Sequence, residues 1–370
     1  MSDPAQRAGA LLTVDLDAVV ANWRRCQAVA QPARCAAVVK ADAYGLGMAP
    51  VARVLAEAGC ARFFVATIDE GIGLREVLPD REILVLNGPL PGTEADFLEH
   101  RLIPVLNAPG QLAGWAAFAA AAGRKLPAAL HVDTGMARLG VELYDLWRLA
   151  ADTAALAAIE VILVMSHLAC ADTPGHRLNH GQLSIFHTAR SLFPGVEGSL
   201  AASSGLFLGA DWLADWVRPG AALYGLQPTA AGPNPMLPVV RLEAKVLQLR
   251  DVDAGDTVGY GATHSITKDT RLATVAAGYA DGIFRSLGNR GCGHLGEIEV
   301  PLVGRVSMDL IVFDVTEVPA DRLQPGAVIE LLGPHHTVDD MAKAAGTIGY
   351  EVLTALGNRY HRRYLGGAAP

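Results

Sequence analysis

Basic blocks are missing from this chain. Its 370 residues hold 30 lysines and arginines against 38 acidic residues, a formal net charge of −8. No stripe or patch of positive charge marks a nucleic-acid surface, so nucleic acid is not an expected partner. An anionic ligand must be held by locally placed donors, because no global positive field exists to attract it. Cysteine is scarce: the five, Cys26, Cys35, Cys60, Cys170 and Cys292, are scattered and odd in number. No pair has zinc-ligand spacing, so they read as reduced, mostly buried thiols, and no metal is expected. Met1 to Leu12 lacks a basic region followed by a long apolar core and does not read as a signal peptide. The longest bland stretch, Leu112 to Gly123, is alanine-rich and too short to cross a bilayer. Internal repeats and low-complexity tracts are also absent. These absences describe a soluble, cytoplasmic protein without a membrane partner. What is present in quantity is apolar material, 51% of the residues, enough for one large domain and a smaller one.

The first two-thirds of the chain alternates short apolar strands with helical stretches. The strands are expected at Ala36–Lys40, Phe63–Thr67, Ile83–Asn87, Ile103–Asn107, Ala129–Asp133, Ile162–His167, Ser199–Ser203 and Trp216–Arg218. Helices are expected between them at Met48–Ala58, Glu70–Leu78, Ala108–Ala122, Leu143–Ala155 and Gln182–Leu192. Strands buried on both faces and separated by helices imply an α/β fold, a parallel (β/α)8 barrel. A Pro-rich linker, Gly232 to Pro238, ends this pattern. Strand-like runs then follow at Val239–Leu249, Leu272–Ala277, Ile298–Val303, Leu310–Val315 and Val328–Leu332, with helical patterns at Val338–Ala345 and Tyr350–Leu356. The expected division is a barrel over residues 12–232 and a mainly β domain over 233–370, with residues 1–11 packing near the latter.

The residues that end the barrel strands carry the chemistry: Lys40, Thr67, Asn87, Asn107, Asp133, His167, Ser203 and Arg218. Barrel enzymes build their sites at the carboxyl ends of the strands. Some of these residues, Asn87 and Asn107 especially, suit simple strand-ending turns. Lys40 stands out, because a lysine at the tip of a buried strand loses solvation, which lowers its pKa and makes it a usable nucleophile or base. It lies in Ala36-Ala37-Val38-Val39-Lys40-Ala41-Asp42-Ala43-Tyr44-Gly45, with glycines that punctuate a tight turn into a helix. Taken alone, Lys40 fits a lysine snorkelling from a strand end equally well.

The segment around Lys40 resembles the cofactor-binding segment of the alanine racemases, where the matching lysine carries pyridoxal 5′-phosphate (PLP) as a Schiff base. Thr257-Val258-Gly259-Tyr260-Gly261 resembles the second-base motif of the same family. The resemblance runs from about Leu12 to about Tyr364. It implies interconversion of L- and D-alanine, with Lys40 taking the Cα proton from the D-enantiomer and Tyr260 from the L-enantiomer. An unperturbed phenol has a pKa of about 10, so such a base needs nearby positive charge. The resemblance further implies that Arg218 donates to the pyridine nitrogen of PLP and that His167 links this arginine to the tyrosine. Tyr44, Ser204, Gly220, Ala221 and Tyr350 match the phosphate-binding positions. Arg138, in Asp133-Thr134-Gly135-Met136-Ala137-Arg138-Leu139-Gly140, matches the arginine that positions the substrate carboxylate. Met308 implies a backbone contact to that carboxylate, Tyr279 a wall that narrows the pocket, and Asp309 a further substrate-binding residue.

One position departs from the family: His131 stands where members often have a lysine that can be carbamylated to support the substrate arginine, and His131 cannot form that group. The family also implies an obligate head-to-tail homodimer in which Tyr260, Tyr279, Met308 and Asp309 reach the partner's site, and a role in supplying D-alanine for peptidoglycan. The rival readings are a racemase of broader specificity (serine, for example), a PLP decarboxylase on the same architecture, and a PLP-binding protein without turnover. Arg218 argues against the decarboxylase, which pairs the pyridine nitrogen with a carboxylate. The β domain and Tyr260 argue against the binder.

Overall fold

A computed structural model describes residues 3–152 and 156–367. Its contacts fall into two compact units, Val19–Leu237 and Met1–Ala18 together with Pro238–Pro370.

In the unit Val19–Leu237, seven parallel strands pair in chain order: Ala37–Val38, Arg62–Val65, Glu82–Val85, Ile103–Leu106, Leu126–His131, Ile159–Met165 and Glu197–Ser199. Phe63, Phe64, Val65, Leu84 and Val85 are fully buried, which is why these segments read as unbroken apolar runs. An eighth strand, Trp216–Val217, closes the ring. It lies parallel to Arg34–Cys35, and the N–H groups of Ala36 and Val38 donate to the carbonyls of Val217 and Pro219. On its other side, the N–H groups of Asp215 and Arg218 donate to the carbonyls of Gly198 and Ala201. Helices Met48–Glu57, Ile68–Val77, Glu94–Glu99, Pro109–Ala121, Leu143–Ala151 and Arg177–Ser191 return the chain between strands, giving the (β/α)8 barrel. The last of these starts five residues before the expected Gln182, because the His176 side chain accepts from the Leu178 N–H and caps it there. The expected end of the fifth helix, at Ala155, lies outside the described residues.

The amino-terminal end of the barrel is plugged. Trp216 is sandwiched between the guanidinium groups of Arg34 and Arg62, at 4.2 and 4.1 Å. Its indole N–H donates to Glu197 at 2.7 Å. The polar groups left for chemistry therefore gather at the carboxyl ends of the strands.

The second unit is built on the 13-residue strand Val240–Val252. Its first half pairs antiparallel with Ala10–Asp15 and Val328–Leu332, and its second half with Thr270–Val275. A register shift between Val246 and Gln248 lets one strand serve both sides. Ile311–Asp314 extends the Thr270–Val275 side, and His361–Leu365 runs parallel to Ala10–Asp15. The expected barrel start, residue 12, falls within Ala10–Asp15. The strands Thr257–Val258 and His264–Ser265 form a small hairpin around Tyr260. It rests on a core of Val258, Ile266, Leu272 and Val303.

Candidate active site

The carboxyl ends of the barrel strands bring Lys40, His131, Arg138, His167 and Arg218 within one another's electrostatic reach. Lys40 directly follows the strand, where the Val39 N–H donates to the Phe64 carbonyl at 2.9 Å. The four residues after it, Ala41, Asp42, Ala43 and Tyr44, all have left-handed φ values, 52°, 53°, 53° and 58°. Such a conformation costs roughly 1–2 kcal/mol for each non-glycine residue. Directed bonds hold it: Ala43 N–H to the Val39 carbonyl at 2.9 Å and Gly47 N–H to the Asp42 carbonyl at 2.9 Å. The Met48 N–H also donates to Asp42 Oδ1 at 2.6 Å, and the Ala41 N–H to Glu70 Oε1 at 2.6 Å. The sequence suggested a turn into a helix, and the helix Met48–Glu57 does follow. The left-handed run itself carries no glycine signal. Burial, then the charge of Arg138, lowers the Lys40 pKa below the ordinary lysine value, with Glu70 opposing. The amine is correspondingly easier to deprotonate and use as a nucleophile.

Tyr44 is buried, with its ring 4.7 Å from that of Tyr224. The Tyr224 hydroxyl donates to the Val38 carbonyl at 2.9 Å, so the pair is anchored to the first strand. Gly220 approaches so closely that a Cβ there would stand 2.4 Å from the Tyr44 hydroxyl oxygen. Ser203 Oγ accepts from the Gly220 and Ala222 N–H groups at 3.0 and 3.1 Å. That bond ties the Ser203–Ser204 turn to the Gly220–Ala222 turn. The Tyr44 hydroxyl thus abuts the Gly220 turn, whose own N–H is held by Ser203, a residue that sequence reading left as a turn former. Ser204 and Ala221 are the chain neighbours of those two bonded residues. Tyr350 belongs to the other unit, exposed on the first turn of the helix Gly349–Ala355.

Arg218 is buried at the barrel centre. It donates to Ser199 Oγ and to the Ser166 carbonyl, the latter at 2.7 Å, and lies 5.8 Å from the Phe64 ring. Burial pulls its pKa down to about 10, still high enough to keep it charged at neutral pH. An arginine in that state is a donor only.

His131 is buried, with Nδ1 2.7 Å from Asn107 Oδ1. The Asn107 amide N donates to the carbonyls of Leu86 and Val105 at 2.9 and 2.8 Å, which fixes its oxygen toward the histidine. His131 must therefore donate from Nδ1, leaving Nε2 as an acceptor. Burial first, then Arg218 and Arg138, push its pKa down to about 4, so the ring is neutral at physiological pH. The same causes, with burial largest, hold the half-buried His167 at about 3. Gln182 fixes the backbone of that segment, donating to the His167 carbonyl and accepting from the Ala169 N–H.

Arg138 is presented by a loop closed at its neck. The Val141 N–H donates to the His131 carbonyl at 2.8 Å and the Asp133 N–H to the Val141 carbonyl at 3.0 Å. Inside the loop, the Asp133 carboxylate accepts from the N–H groups of Gly135, Met136 and Ala137. Burial raises the Asp133 pKa, but these donors outweigh it and hold the group below the ordinary carboxylate value. At Gly140 a Cβ would meet the Asp133 nitrogen at 2.4 Å, so only glycine lets the neck close.

The β unit gathers the other predicted residues. Tyr260 sits on the hairpin turn between Gly259 and Gly261, both at positive φ, and is 72% exposed. Its turn packs on Arg305, since a Cβ at Gly261 would lie 2.9 Å from the Arg305 guanidinium. Tyr279 and Met308, 44% and 53% exposed, lie on two loops zipped by backbone bonds. The Tyr279 N–H donates to the Ser307 carbonyl and the Ala280 N–H to that of Met308, both at 3.0 Å. Arg359, which sequence reading missed, clamps these loops. It pairs through two nitrogens with Asp281 at 2.6 and 2.7 Å and through a third with Asp309 at 2.7 Å. Asp281 is buried and also accepts from the Gly278 N–H. The pairing spans 78 residues of sequence, so no local signal could have shown it.

Comparisons with known proteins bear on both units. The family model for the alanine racemase N-terminal domain matches residues 14–228, and that for the alanine racemase C-terminal domain matches residues 239–364. An alanine racemase of Rhodospirillum rubrum is 53% identical over 362 residues, 97% of both chains. Agrobacterium fabrum has two relatives: a catabolic alanine racemase, 48% identical over 96% of this chain and 92% of its own, and a biosynthetic one, 47% identical over 98% and 96%. The crystal structure of alanine racemase from Bartonella henselae with covalently bound pyridoxal phosphate is 40% identical. It superposes with a TM-score of 0.93 over 97% of this chain and all of its own.

Proposed function

This chain belongs to the alanine racemase family, and from that membership we propose how its residues interconvert L- and D-alanine with pyridoxal 5′-phosphate as cofactor. The residues present fit that group. A desolvated lysine amine ends the first strand, a buried arginine lies among the strand ends, and the Tyr44 hydroxyl packs against the Gly220 turn. The first observation carries the reading, since an amine so placed is easier to deprotonate and to use as a nucleophile.

Lys40 would hold the cofactor through its amine, Arg218 would donate to the ring nitrogen, and Tyr44, Ser204, Gly220, Ala221 and Tyr350 would bind the phosphate. When bound, PLP supplies an electron sink that makes the substrate Cα proton removable. Because Arg218 only donates, it leaves that ring nitrogen unprotonated. Arg138 grips the substrate carboxylate, with Met308 and Asp309 beside it and Tyr279 narrowing the space to a small side chain. Lys40 Nζ moves the proton on one face of Cα, taking it from D-alanine. Tyr260 Oη moves it on the other, taking it from L-alanine. His167 lies in the field of Arg218, and in the family's pattern it would link that arginine to the tyrosine. His131, neutral and with a bare Nε2, supports the Arg138 end of the site as an acceptor without carrying a charge of its own.

The working state is a homodimer in which Tyr260, Tyr279, Met308 and Asp309 enter the partner's site. The support is exposure: a phenol acts as a base near neutral pH only beside positive charge and out of water, and Tyr260 is 72% exposed in a single chain. No described helix is long and apolar enough to cross a membrane. The setting we propose is the cytoplasm, where the D-alanine serves peptidoglycan.

Purified protein loaded with PLP should form D-alanine from L-alanine and the reverse. Bound PLP with no D-alanine formed would instead mark a binding protein. Mixing inactive Lys40→Ala and Tyr260→Phe proteins should restore activity as subunits exchange. No restoration would end the shared-site reading.

A further inference from the structure

Glu70 was legible in sequence only as a residue at the start of a helix. It sits at the third position of Ile68–Val77, where its Oε2 accepts from the Thr67 N–H at 3.3 Å and completes a capping box. A cap needs no more than that. Yet Oε2 also accepts from the Ala66 N–H at 2.7 Å, and Oε1 reaches the adjacent strand end to accept from the Ala41 N–H at 2.6 Å. Ala41 is the first of the four left-handed residues and follows Lys40 directly.

We propose that Glu70 is a positioning residue for Lys40: its carboxylate staples the turn from which the amine projects to the end of the neighbouring strand. This rests on Lys40 being the amine that takes up PLP. Three backbone donors converge on the two oxygens, so only the ionised acid satisfies them all. A glutamine would turn its amide N–H groups toward a donor on one side or the other. The bond is also what commits Ala41 to the strained conformation, and with it the direction in which residue 40 leaves the strand.

The described charged and titratable groups around the amine are Arg138 on the 133–141 loop, His131 at the end of the strand Leu126–His131, His167 beyond the strand Ile159–Met165, Arg218 after the strand Trp216–Val217, Asp42 on the same turn, and Glu70. Burial and Arg138 lower the Lys40 pKa, and Glu70 raises it. Glu70 thus opposes the positive charge that gathers at the barrel mouth. Its loss should leave the amine both less fixed and less basic.

The test follows the rate at which the apo-protein takes up PLP as a function of pH, with the site of attachment read by borohydride reduction and mass spectrometry. In the wild-type protein the adduct lies at Lys40, and the rate rises with pH as the amine loses its proton. In Glu70→Gln the midpoint of that rise should move down by about half a unit or more. Thr67→Ala, which weakens the helix cap but leaves the carboxylate in place, should lower thermal stability and leave the midpoint where it was. Should Glu70→Gln fail to fold, Glu70→Asp keeps the charge but is one methylene too short to span both turns. It should keep the wild-type midpoint and take up PLP about tenfold more slowly. An unmoved midpoint in Glu70→Gln, an equal shift in Thr67→Ala, or uptake at the wild-type rate in Glu70→Asp overturns the proposal. A wild-type adduct anywhere but Lys40 overturns the assignment beneath it as well.

Discussion

Replacing Gly220 by alanine isolates the close packing of Tyr44 on the Gly220 turn. The backbone at this position has φ −124°, which alanine adopts, so the substitution introduces no left-handed strain. The added Cβ, however, would stand 2.4 Å from the Tyr44 hydroxyl oxygen, 3.0 Å from Cζ of the same ring and 3.3 Å from Val38 Cβ. Tyr44 cannot retreat freely, because its ring packs 4.7 Å from that of Tyr224 and Tyr224 is bonded to the first strand. Overpacking of this kind costs about 1–3 kcal/mol. For a unit of this size that lowers Tm by roughly 2–12 °C. The displaced hydroxyl would also forfeit the phosphate bond proposed for it, which should weaken PLP binding by about tenfold. Calorimetry of the apo-protein and a fluorescence titration with PLP read the two effects separately. Adding Tyr44→Phe to the alanine variant removes the closest clash, so most of the stability should return while the affinity stays low. A single variant as stable as wild type, with unchanged PLP affinity, would refute that packing and the phosphate role proposed for Tyr44.

His131 supplies a pH signature. Its folded pKa of about 4 lies below the ordinary 6.5, so between those values the unfolded chain binds a proton that the folded chain does not. Stability therefore falls as pH drops through this window, by about 3 kcal/mol in all for this one group. His131→Gln should flatten denaturation midpoints across that window by the equivalent of one proton, and an unaltered slope would contradict the buried neutral ring. Replacing Arg359 by lysine should lower thermal stability and raise KM for alanine more than it lowers kcat. A lysine cannot reproduce the three-armed pairing with Asp281 and Asp309, and kinetic constants equal to wild type would show that the clamp does not shape the substrate wall.

Much of the barrel was legible because its strands are buried on both faces and end on polar residues. The runs at Phe63–Thr67 and Ile83–Asn87 overlie the observed strands Arg62–Val65 and Glu82–Val85. Short two-residue pairings such as Trp216–Val217 were legible through their neighbours, since Arg218-Pro219-Gly220 marks the turn that follows. The left-handed run Ala41–Tyr44 was not, because alanine and tyrosine rarely adopt it and a single aspartate does not mark it. A long-range bond from Glu70 and local bonds to Asp42 hold it. Asn107 looked like an ordinary strand-ending residue. Its role in fixing the tautomer of His131 depends on two carbonyls and a ring that converge only when three adjacent strands are in register. The Arg359 clamp is longer-range still. The motifs around Lys40 and Tyr260 were readable because resemblance to a family compresses that same three-dimensional information into a short string.

The two-base claim is tested most directly by following solvent deuterium into the Cα position of each alanine enantiomer with PLP-loaded Tyr260→Phe protein. With Lys40 intact and the phenol gone, exchange into D-alanine should continue while exchange into L-alanine falls by several orders of magnitude. Equal loss for both enantiomers with the cofactor still bound, or undiminished exchange into L-alanine, would contradict a proton carrier on each face.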